Sequence, residues 1–594
     1  MIKKWIKKDN DSIMEACLKN LGVSSTDEIN NWYRISLSGG YFINLLREAA
    51  ELAWTFREKK VKIVGDYDMD GQASTSILLK GLKYIGFKNV SYRIPKRFSE
   101  GFGINMNIVN ETDEDLVIIV DNGIAQKNEV KALKEKGTKV IVLDHHEATG
   151  ELSEPDFLID PEALKESAKF AGYCGSGLAY KFVLALLDIA IKTGVDLEAN
   201  NTLSVEDFKK SITVLAMLGT VGDVMDLREE NYVIVRRALD WVGMANLNPG
   251  LYTVLALNDM TSYVTATNIG FKIVPMFNAC SRMEDDGAVK AIELLISEKP
   301  YLELKPQALE IANINAKRKE LTEEYAKKAE EIINQQKMQN DYPLVLNLPD
   351  APLGIIGIIA SKVMEKYKRP VFLVTEHEEE VLLQNGRKMK IKKLKGSGRG
   401  PSGYKINEAL ISASEFLIPN EFGGHEEGAA GLALTPENFD GLRKALILNG
   451  KENKSETSEK SYDFQISASE VKKTLEEISK FEPFGKGNPT PIFKITGFEA
   501  KDLGGYYKKI IGGGSIQFTS TKGFKATGFG LAEDMAGRDS KDLELIGTLS
   551  YNYWKGVKYP QVMFEDFTLL SDLDNSNNET KFVRVKESSW KCES

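Results

Sequence analysis

The sequence predicts an α/β protein with a parallel-sheet domain, a long connector helix, a second smaller α/β domain and a C-terminal β-barrel. From position 61 onward, short β-branched runs alternate with helical segments, which is typical of a parallel sheet covered by helices. A long charged segment without turn signals separates two regions that have this pattern. The chain of 594 residues is also too long for a single core, so several domains are expected.

The first region begins with about sixty residues of helical spacing. The runs VKIVG (61–65), LVIIV (116–120) and KVIVL (139–143) then have the brevity and the β-branched composition of buried parallel strands. Between them, STSILLKGLKYIG and KNEVKALKEKG have helical spacing and glycine stops. We therefore expect a helical lead followed by a parallel sheet with helices between its strands.

The remaining regions are punctuated by polar runs. The charged stretch 305–336 is predicted to be one long helix that connects two domains. After it, YPLVLNL and RPVFLVT are predicted strands, with the helix GIIGIIASKVMEKYK between them. The run KENKSETSEKS marks a boundary, and the short strands and glycine turns of 490–570 predict a small β-barrel. The stretch SDLDNSNNETKF is expected to be disordered.

Composition narrows the class of protein. No run approaches twenty apolar residues, so no membrane span is expected, and the start MIKKWIKKDNDS lacks the apolar core of a secretory signal. The four cysteines are scattered without a CxxC pair, which argues against a disulfide framework or a zinc site and fits a reducing cytoplasm. The net charge of −9 leaves a nucleic-acid partner open, since an acidic total can accompany a local basic groove.

Acidic side chains follow the predicted strands in VGDYDMDG, VIIVDNG and VIVLDHHE, and another follows an apolar helical run in LGTVGDVMD. The residues concerned are Asp66, Asp68, Asp70, Asp121, Asp144, His145, His146 and Asp223. In open α/β sheets, ligands bind at the carboxyl ends of the strands, so these side chains should converge. Their mutual repulsion requires cations, and oxygen ligands with one or two imidazoles suit Mn²⁺ or Mg²⁺. Two such ions are the usual apparatus for displacement at phosphorus.

Each of these residues has a simpler interpretation when it is taken alone. A single Asp at a strand end is as often a helix N-cap, and a single exposed His usually carries no chemistry. The chain has only four histidines, however, and two of them are adjacent at a strand end. Three strand-terminal acidic motifs together with this pair favour a shared metal site over coincidence.

These segments resemble the signature motifs of the DHH phosphoesterase superfamily. DYDMDG is similar to the first motif, VDNGI to the second, DHH at 144–146 to the third and LGTVGDV to the fourth. The resemblance implies that the metal ligands are Asp66, Asp68, Asp121, Asp144, His145 and Asp223. His146 would contact the phosphate or act in proton transfer. Asp70 would support the ligands from behind or cap the following helix.

The downstream segments resemble RecJ nucleases in particular. AGYCGSGLAYKF, FKIVPMFNACSRM and GIIGIIASKV are similar to stretches that these nucleases share, and EPFGKGNPTPIF to the entry of their OB-fold. GSGRG (396–400) and FGGHEEGAAGL (422–432) resemble the substrate-binding motifs of the DHH-associated domain. The substrate contacts that this resemblance implies are Ser397, Arg399, Gly423, Gly424, His425, Asn278 and Arg282.

The sequence also departs from the RecJ pattern. Ala351 and Pro352 stand where the family usually has Trp-His, and Met276 stands where an Arg is common. One extra residue precedes the AAG of the glycine-histidine motif. These changes affect the expected binding of the substrate rather than the expected hydrolysis.

The resemblance implies the domain division and the function. The helical lead and DHH catalytic domain would cover 1–300, the connector helix 301–340, the DHH-associated substrate-binding domain 341–450, the OB-fold nucleic-acid-binding domain 462–572 and the tail 573–594. The implied function is a metal-dependent 5′→3′ exonuclease that hydrolyses single-stranded DNA to mononucleotides in DNA repair or recombination. It implies two divalent cations, Mn²⁺ or Mg²⁺, a helicase or single-strand-binding protein as partner, a monomer and a cytoplasmic location.

Two other functions stay open. A DHH-family oligoribonuclease or cyclic-dinucleotide phosphodiesterase would share the metal site, although such relatives are typically shorter and lack the OB module. A non-catalytic DNA-binding replication factor with a DHH fold would be expected to lose metal ligands. Every expected ligand position in this chain is acidic or His.

The C-terminal region offers side chains for single-stranded DNA, although most of its aromatic residues are expected to fill the barrel core. The candidates are Phe518, Phe524, Phe529, Tyr551, Tyr553, Trp554, Lys508, Lys509, Lys522, Lys525, Lys555 and Lys558. The run GRKMKIKKLKGSGRG predicts a strand with one basic face, which either contacts the DNA backbone or is simply solvated. GGG at 512–514 fits a hairpin turn better than a phosphate loop.

Overall fold

Three sheets of five or more strands and one long helix organise the part of the chain that the structure describes. This computed structural model describes residues 5–10, 12–37, 44–147, 150–161, 163, 170–199, 201–382, 388–419, 421–425, 428–452, 460–503, 508–511, 514–535, 540–554 and 557–569. The arrangement confirms the predicted fold class, with a parallel-sheet domain, a connector helix, a second α/β domain and a C-terminal β-domain. None of the described helices combines the length and the apolarity of a membrane span.

The N-terminal segment packs against both the C-terminal domain and the helix Glu229–Trp241 of the first domain. It consists of β1 (Trp5–Lys7), α1 (Ile13–Leu21) and α2 (Thr26–Leu37). β1 pairs in parallel with Lys460–Tyr462, and Trp5 Nε1 donates a hydrogen bond to Asp566 Oδ2 at 3.0 Å. The prediction of a purely helical lead is therefore wrong at β1. Its partner strand lies near the other end of the chain, so no local pattern could reveal the pairing.

The first domain is a five-stranded parallel sheet with helices on both faces. Its elements are α3 (Asn44–Trp54), β2 (Lys60–Val64), α4 (Met69–Ile85), β3 (Asn89–Arg93), α5 (Met106–Glu111), β4 (Leu116–Val120), α6 (Lys127–Glu135), β5 (Lys139–Leu143), β6 (Phe157–Ile159), α7 (Gly175–Lys192), α8 (Val205–Gly222), α9 (Glu229–Trp241), α10 (Pro249–Leu257), α11 (Ala266–Asn268), a π-helix (Ile269–Ile273), α12 (Val274–Met283) and α13 (Gly287–Ile296). The strand order is β3-β2-β4-β5-β6, so the winding direction changes between β2 and β4. Such a switch point is where ligands bind in open α/β sheets.

Burial on both faces explains the apolar runs of this sheet. In β4, Leu116, Ile118 and Val120 belong to the core that contains α4, α7 and α8, whereas Val117 and Ile119 belong to the core under α5 and α6. Successive side chains of a strand point to opposite faces, so a strand covered on both sides is apolar throughout. This packing fixes where each strand ends and therefore where the polar residues after it lie.

The connector helix α14 (Tyr301–Gln335) contributes to the cores of the first and the second domain. The second domain contains β7 (Leu344–Asn347), α15 (Ile356–Tyr367), β8 (Val371–Leu382), β9 (Lys388–Arg399), α16 (Ile406–Ser412), β10 (Gly423–His425), β11 (Ala429–Leu434) and α17 (Phe439–Glu452). Its sheet has the order β10-β11-β9-β8-β7, in which only β7 and β8 pair in parallel. The two predicted strands and the helix between them are confirmed as β7, β8 and α15.

The C-terminal domain is a seven-stranded sheet around an apolar core with one helix. Its elements are β12 (Lys460–Tyr462), β13 (Phe464–Ser467), α18 (Val471–Ile478), β14 (Ile492–Glu499), β15 (Lys508–Ile511), β16 (Ser515–Thr519), β17 (Lys525–Gly528), β18 (Asp542–Trp554) and β19 (Val557–Leu569). β12 pairs with β1, and the others form the order β13-β14-β18-β19-β17-β16-β15. β15 and β16 pair antiparallel on the two sides of the glycine run, whose residues 512 and 513 lie outside the described part of the chain. The predicted tail, 573–594, lies outside the described residues.

Candidate active site

Acidic and imidazole side chains meet at the carboxyl edge of the parallel sheet. Ligand atoms of Asp66, Asp68 and Asp121 lie within 4.8 Å of one another, and so do those of Asp121, His145 and His146. Asp66 follows β2, Asp121 follows β4 and the two histidines follow β5, so the group lies at the switch point of the sheet. Asp121 belongs to both sets. The geometry therefore offers two adjacent cation positions that share one carboxylate.

Asp68 and Asp70 hold the starts of two different helices. Asp68 Oδ1 accepts the N–H of Asp70 at 2.9 Å and that of Gly71 at 3.2 Å, so Asp68 is the N-cap of α4. Asp70 does not cap this helix, because its Oδ1 accepts the N–H of Ser176 near the start of α7 at 2.9 Å. Its Oδ2 is buried without a hydrogen bond and lies 3.7 Å from His145 Nε2. Asp70 therefore connects α7 to the histidine side of the site.

Asp121 has an unusual backbone conformation. Its φ of 61° lies in the left-handed region, which costs free energy for a residue other than glycine and is found most often at functional sites. The residue is 2% exposed, and its Oδ1 lies 3.1 Å from His145 Nε2. Gly175 lets α7 approach closely, since a Cβ there would lie 2.7 Å from the Cβ of Asp121. The surrounding structure thus holds Asp121 in one position.

Asp144 is occupied by donors from the protein itself. Its Oδ2 accepts the N–H of Ile124 at 2.9 Å, and its Oδ1 accepts the N–H of His145 and the Nδ1–H of His146, both at 2.8 Å. Burial alone would raise the pKa of Asp144, but the hydrogen bond and charge of His146 lower it below its ordinary value. Burial would likewise lower the pKa of His146, but Asp144 raises it to about 9. Asp144 therefore orients His146, and its role as a metal ligand stays a prediction.

Asp223 lies at the C-terminal end of α8, and its Oδ2 is 3.8 Å from His145 Nε2. It belongs to neither of the two ligand sets, so its role as a ligand also stays a prediction. Burial and the charges of neighbouring aspartates raise the pKa of Asp223 to about 8. Burial lowers the pKa of His145, which favours the neutral imidazole that can bind a cation.

The site carries more negative charge than the described protein groups neutralise. Burial and neighbouring carboxylates raise the pKa values of Asp66 and Asp121 well above the ordinary value. Asp66 Oδ1 is buried and accepts no hydrogen bond in the described part of the chain. Unpaired buried acceptors are rare, and carboxylate oxygens with imidazole nitrogens are donors that Mn²⁺ and Mg²⁺ accept. These residues therefore fit divalent cations.

Four arginines from four elements lie between the first and second domains. They are Arg97 after β3, Arg282 in α12, Arg318 in α14 and Arg399 at the end of β9. Burial and the positive charges of the other three lower the pKa of Arg282 to about 10, while Asp68 acts in the opposite direction. Like charges held this close favour a bound anion, and guanidinium groups bind phosphates with paired hydrogen bonds. We refer to these four residues as the arginine cluster.

Two glycines of the GIIG motif bring the arginines together. A Cβ at Gly354 would lie 2.0 Å from the carbonyl oxygen of Arg282, and a Cβ at Gly357 would lie 2.7 Å from Arg399 Nη2. Arg282 Nη1 donates to the carbonyl of Gly354 at 3.3 Å, and Arg399 Nη1 donates to the hydroxyl of Ser397. The segment 354–357 at the start of α15 therefore joins α12 of the first domain to β9 of the second, and at Gly354 only glycine leaves room for the backbone contact.

Asn278 lies one helical turn before Arg282 on α12, so the two residues share a face of the helix. Its Oδ1 is buried and has no hydrogen-bond partner among the described groups. Of the positions that are substituted relative to the family pattern, Met276 and Ala351 lie in the core, and Pro352 is partly exposed. Met276 and Ala351 are each 4% exposed. Neither side chain faces solvent.

The other predicted substrate contacts lie on β10. Gly423 and Gly424 are exposed there, as a surface that approaches a ligand requires. The strand register places His425, Ala429 and Arg399 in one row across β10, β11 and β9. The side chain of His425 lies outside the described part of the chain.

Sequence reasoning missed three basic residues, namely Arg97, Arg318 and Lys486. Arg97 follows a strand of the same sheet as the aspartates, so the strand-end rule could have identified it. Arg318 is the one arginine of α14 among several lysines, and it carries no local signal. Lys486 lies in a loop of the C-terminal domain, and its backbone carbonyl accepts the N–H of Leu227 at 2.8 Å. Its positive charge lowers the pKa of Asp223, against the effect of burial.

The basic run of β9 is largely neutralised. Lys393 Nζ lies 3.0 Å from a carboxylate oxygen of Glu379 on β8 and 2.7 Å from one of Glu421. Lys390 Nζ lies 3.4 Å from Glu378 in the same hairpin. These cross-strand pairs favour the interpretation of the run as a solvated, charge-balanced face.

The aromatic residues of the C-terminal domain divide between core and surface. Phe518 is 1% exposed and Phe524 3%, whereas Phe529 is 68% exposed. The Tyr553 ring lies 5.7 Å from that of Tyr263 in the first domain. The Lys558 ammonium lies over Tyr263 at 4.1 Å and over Tyr551 at 5.4 Å. Residue 555 and the side chain of residue 554 lie outside the described part.

Comparison with known families gives two matches. Residues 60–220 match the DHH family, N-terminal domain, and residues 462–566 match the RecJ OB domain. The first match contains every predicted residue of the acidic cluster except Asp223, and the second covers most of the predicted barrel.

Individual proteins match over most of the chain. The single-stranded-DNA-specific exonuclease RecJ of Thermus thermophilus is 31% identical over 530 residues, which are 86% of this chain and 69% of the relative. RecJ of Bacillus subtilis is 28% identical over 86% of this chain, which spans only 61% of that relative. Thermus thermophilus RecJ in complex with Mn²⁺ superposes with a TM-score of 0.72 and 26% identity, covering 95% of this chain and 79% of that one. The same protein in complex with Mg²⁺ has a TM-score of 0.66 and 25% identity, covering 95% and 78%.

Proposed function

The chain belongs to the RecJ family, and from this premise we propose that it hydrolyses single-stranded DNA from the 5′ end and releases mononucleotides. One observation carries the proposal. Two sets of cation ligands share Asp121 at the switch point of the sheet, and the arginine cluster lies close enough for Arg282 to interact with Asp68 and Arg97 with Asp66. An acidic set that fits cations next to a set of guanidinium groups suits a phosphodiester better than it suits a neutral substrate.

The proposed cofactors are two divalent cations, Mn²⁺ or Mg²⁺. Asp66, Asp68 and Asp121 would hold one cation, and Asp121 with the two histidines would hold the other. When bound, such cations lower the pKa of an attacking water and offset the charge that develops at phosphorus.

The protein's own groups would orient the reaction. Asp144 fixes the ring of His146 through Nδ1, which leaves Nε2 as the atom that can face a cation or exchange a proton at the phosphate. The pKa of His146, raised to about 9, keeps this ring protonated near neutral pH in the metal-free protein. Asp70 Oδ2 lies 3.7 Å from His145 Nε2, the same ring nitrogen that Asp121 contacts.

Arg399 and Arg282 would bind the phosphate oxygens of the substrate, and Arg97 and Arg318 would add positive charge behind them.

A second contact for the single strand would lie between the first and C-terminal domains. Tyr263 and Tyr553 would stack bases there, and Lys558 would contact the backbone of the strand. A duplex offers no exposed base face for such stacking, which supports a preference for single strands. A role in DNA repair or recombination, a helicase or single-strand-binding partner, a monomeric state and a cytoplasmic location stay predictions.

The test is a time course on single-stranded and duplex DNA, labelled at either end, with Mn²⁺ and with EDTA. We expect labelled mononucleotide first from the 5′-labelled single strand and no hydrolysis in EDTA. Dinucleotides and cyclic dinucleotides serve as rival substrates. Preferential hydrolysis of these short compounds, or the absence of any metal-dependent hydrolysis, would contradict the proposal.

The decisive variant is Asp121→Asn, for which we expect a loss of about a thousandfold in kcat, because one carboxylate shared by two cation positions is removed. Asp259→Asn is the matched control. Asp259 also has a left-handed backbone, with a φ of 55°, but it is exposed and belongs to neither ligand set. It should retain full activity, so any general effect of the substitution at such a backbone position is excluded.

A further inference from the structure

A cavity of about 310 Å³ opens beside the C-terminal half of α4, away from the acidic site. It is lined by aromatic side chains and lysines, among them Tyr84, Phe87, Phe208, Lys80, Lys83 and Lys88. Lys80 follows Asp70 by ten residues on the same helix, which corresponds to about 15 Å along the axis. The volume is at the lower end of the range for small-molecule sites, so the cavity fits a small ligand.

Lys80 is the feature of this cavity that most needs an explanation. The residue is 9% exposed, and its ammonium has no hydrogen bond or ion pair with the groups that the structure describes. A buried cation without an anion is costly, and burial lowers its pKa to about 8. Glu298 also lines the cavity, but it is exposed and forms no ion pair with Lys80. A bound anion would supply the missing counter-charge.

The residues that line the cavity indicate which other groups the ligand contains. The rings of Tyr84 and Phe208 stack with a centroid distance of 3.9 Å and an interplanar angle of 12°, which makes a rigid apolar surface. Lys83 and Lys88 are exposed at the rim, so the lining carries three lysines against one glutamate. Asn201 and Thr202 add hydrogen-bonding groups. A small molecule with a doubly charged group and an apolar ring meets all of these features.

We propose that this cavity binds a nucleoside monophosphate, with the phosphate at Lys80 and the base against the aromatic wall. The choice of ligand rests on the proposed function, because hydrolysis of DNA releases such compounds. The site is separate from the acidic cluster and from the arginine cluster, and none of its residues belongs to either.

The test is an isothermal titration calorimetry experiment in which dTMP is added to the whole, metal-free chain in EDTA. We expect Lys80→Met to lose one bound dTMP per chain or to weaken that binding at least tenfold, because it removes the charge and keeps the volume. Thr202→Trp, which narrows the mouth and leaves Lys80 in place, should weaken the same binding by a similar factor. Lys327→Met on α14 removes an exposed lysine far from the cavity and should change nothing.

Unchanged stoichiometry and affinity in Lys80→Met would overturn the site and assign Lys80 to packing of its aliphatic stem alone. The melting temperature of each variant shows whether it is folded, and Lys80→Met should melt no lower than the wild type, since a buried charge is removed. The two proposals fail separately. A chain that binds dTMP through Lys80 but degrades no DNA keeps the cavity site and contradicts the nuclease, whereas an active nuclease without this binding contradicts the cavity site alone.

Discussion

The acidic cluster at the switch point and the basic run of β9 are both dense in charge, but their charges are compensated differently. In the hairpin of β8 and β9, lysines and glutamates alternate across the strands and form pairs. At the switch point, Asp66 and Asp70 each keep a buried oxygen without a hydrogen bond, and no lysine or arginine of the described residues forms an ion pair with either. Glu379 Oε2 of the hairpin also lacks a hydrogen bond, but the ammonium groups of Lys393 and Lys395 lie 3.0 and 3.4 Å from it. Charge that a protein pairs locally serves solubility and strand pairing. Charge that it buries and leaves unpaired requires a ligand, and that difference separates the two regions better than the density of charge in the sequence.

The largest expected effect contrasts Arg399, which belongs to the arginine cluster beside the acidic site, with Lys390, which is paired in the hairpin. Arg399→Lys should lower kcat/KM roughly thirtyfold, because a lysine cannot make the paired contacts of a guanidinium and about 2 kcal/mol of charge-assisted hydrogen bonding is lost. Lys390→Met in the paired hairpin should change kcat/KM less than twofold. Steady-state kinetics on a 5′-labelled single strand measures both. Equal losses in the two variants would place the hairpin in the DNA path and remove the distinction.

A smaller expected effect is the pH dependence of the free energy of unfolding of the metal-free protein. The raised pKa values of Asp66, Asp121 and Asp223, the last about 8, mean that the folded metal-free protein keeps protons that the unfolded chain has lost above its pKa of about 4. Its free energy of unfolding should therefore fall as the pH rises from about 4 to about 8. His146, with its pKa raised to about 9, adds a contribution of the same sign that is lost as the pH rises through that value. Urea unfolding in EDTA at several pH values measures this slope.

Addition of Mn²⁺ should remove or reverse the decline, because cations favour the ionised carboxylates. The hairpin supplies the control. The pKa of Glu379 is lowered by its hydrogen bond with Lys393, so its contribution has the opposite sign and is complete above the ordinary pKa of a glutamate. Glu379→Gln should change the free energy of unfolding by less than about 1 kcal/mol and leave the slope intact. A metal-free protein that becomes more stable between pH 5 and 8 would contradict the unpaired-charge interpretation.

The sequence predicted the parallel sheet and the positions of its acidic strand ends, because both follow from local patterns. Buried strands are short and β-branched, and residues after them lie at one edge of the sheet by geometry alone. The division of work between Asp68 and Asp70 could not be predicted in this way. Both stand at the start of α4, and only the approach of Ser176 from α7 decides which carboxylate caps which helix.

Contacts between domains were also beyond the sequence pattern. Arg318 enters the arginine cluster because α14 packs against α12, and nothing in its neighbouring residues records that packing. The basic run of β9 was correctly predicted as a strand, but Glu378 and Glu379, which pair with its lysines, belong to β8 and become partners only in the antiparallel register. The parallel pairing of β1 with β12 has the same origin. Each of these features depends on packing between residues that are distant in the sequence. The sequence pattern records the local periodicity of an element but not its partner.

The most direct test of the central claim is the number of Mn²⁺ ions that the chain binds at equilibrium. Two ions per chain are expected for the wild type, and Asp121→Asn should weaken both, since this carboxylate belongs to both ligand sets. Asp259→Asn should bind two ions with unchanged affinity. A wild-type chain that binds no Mn²⁺, or an Asp121→Asn variant that still binds two ions as tightly as the wild type, would contradict the account.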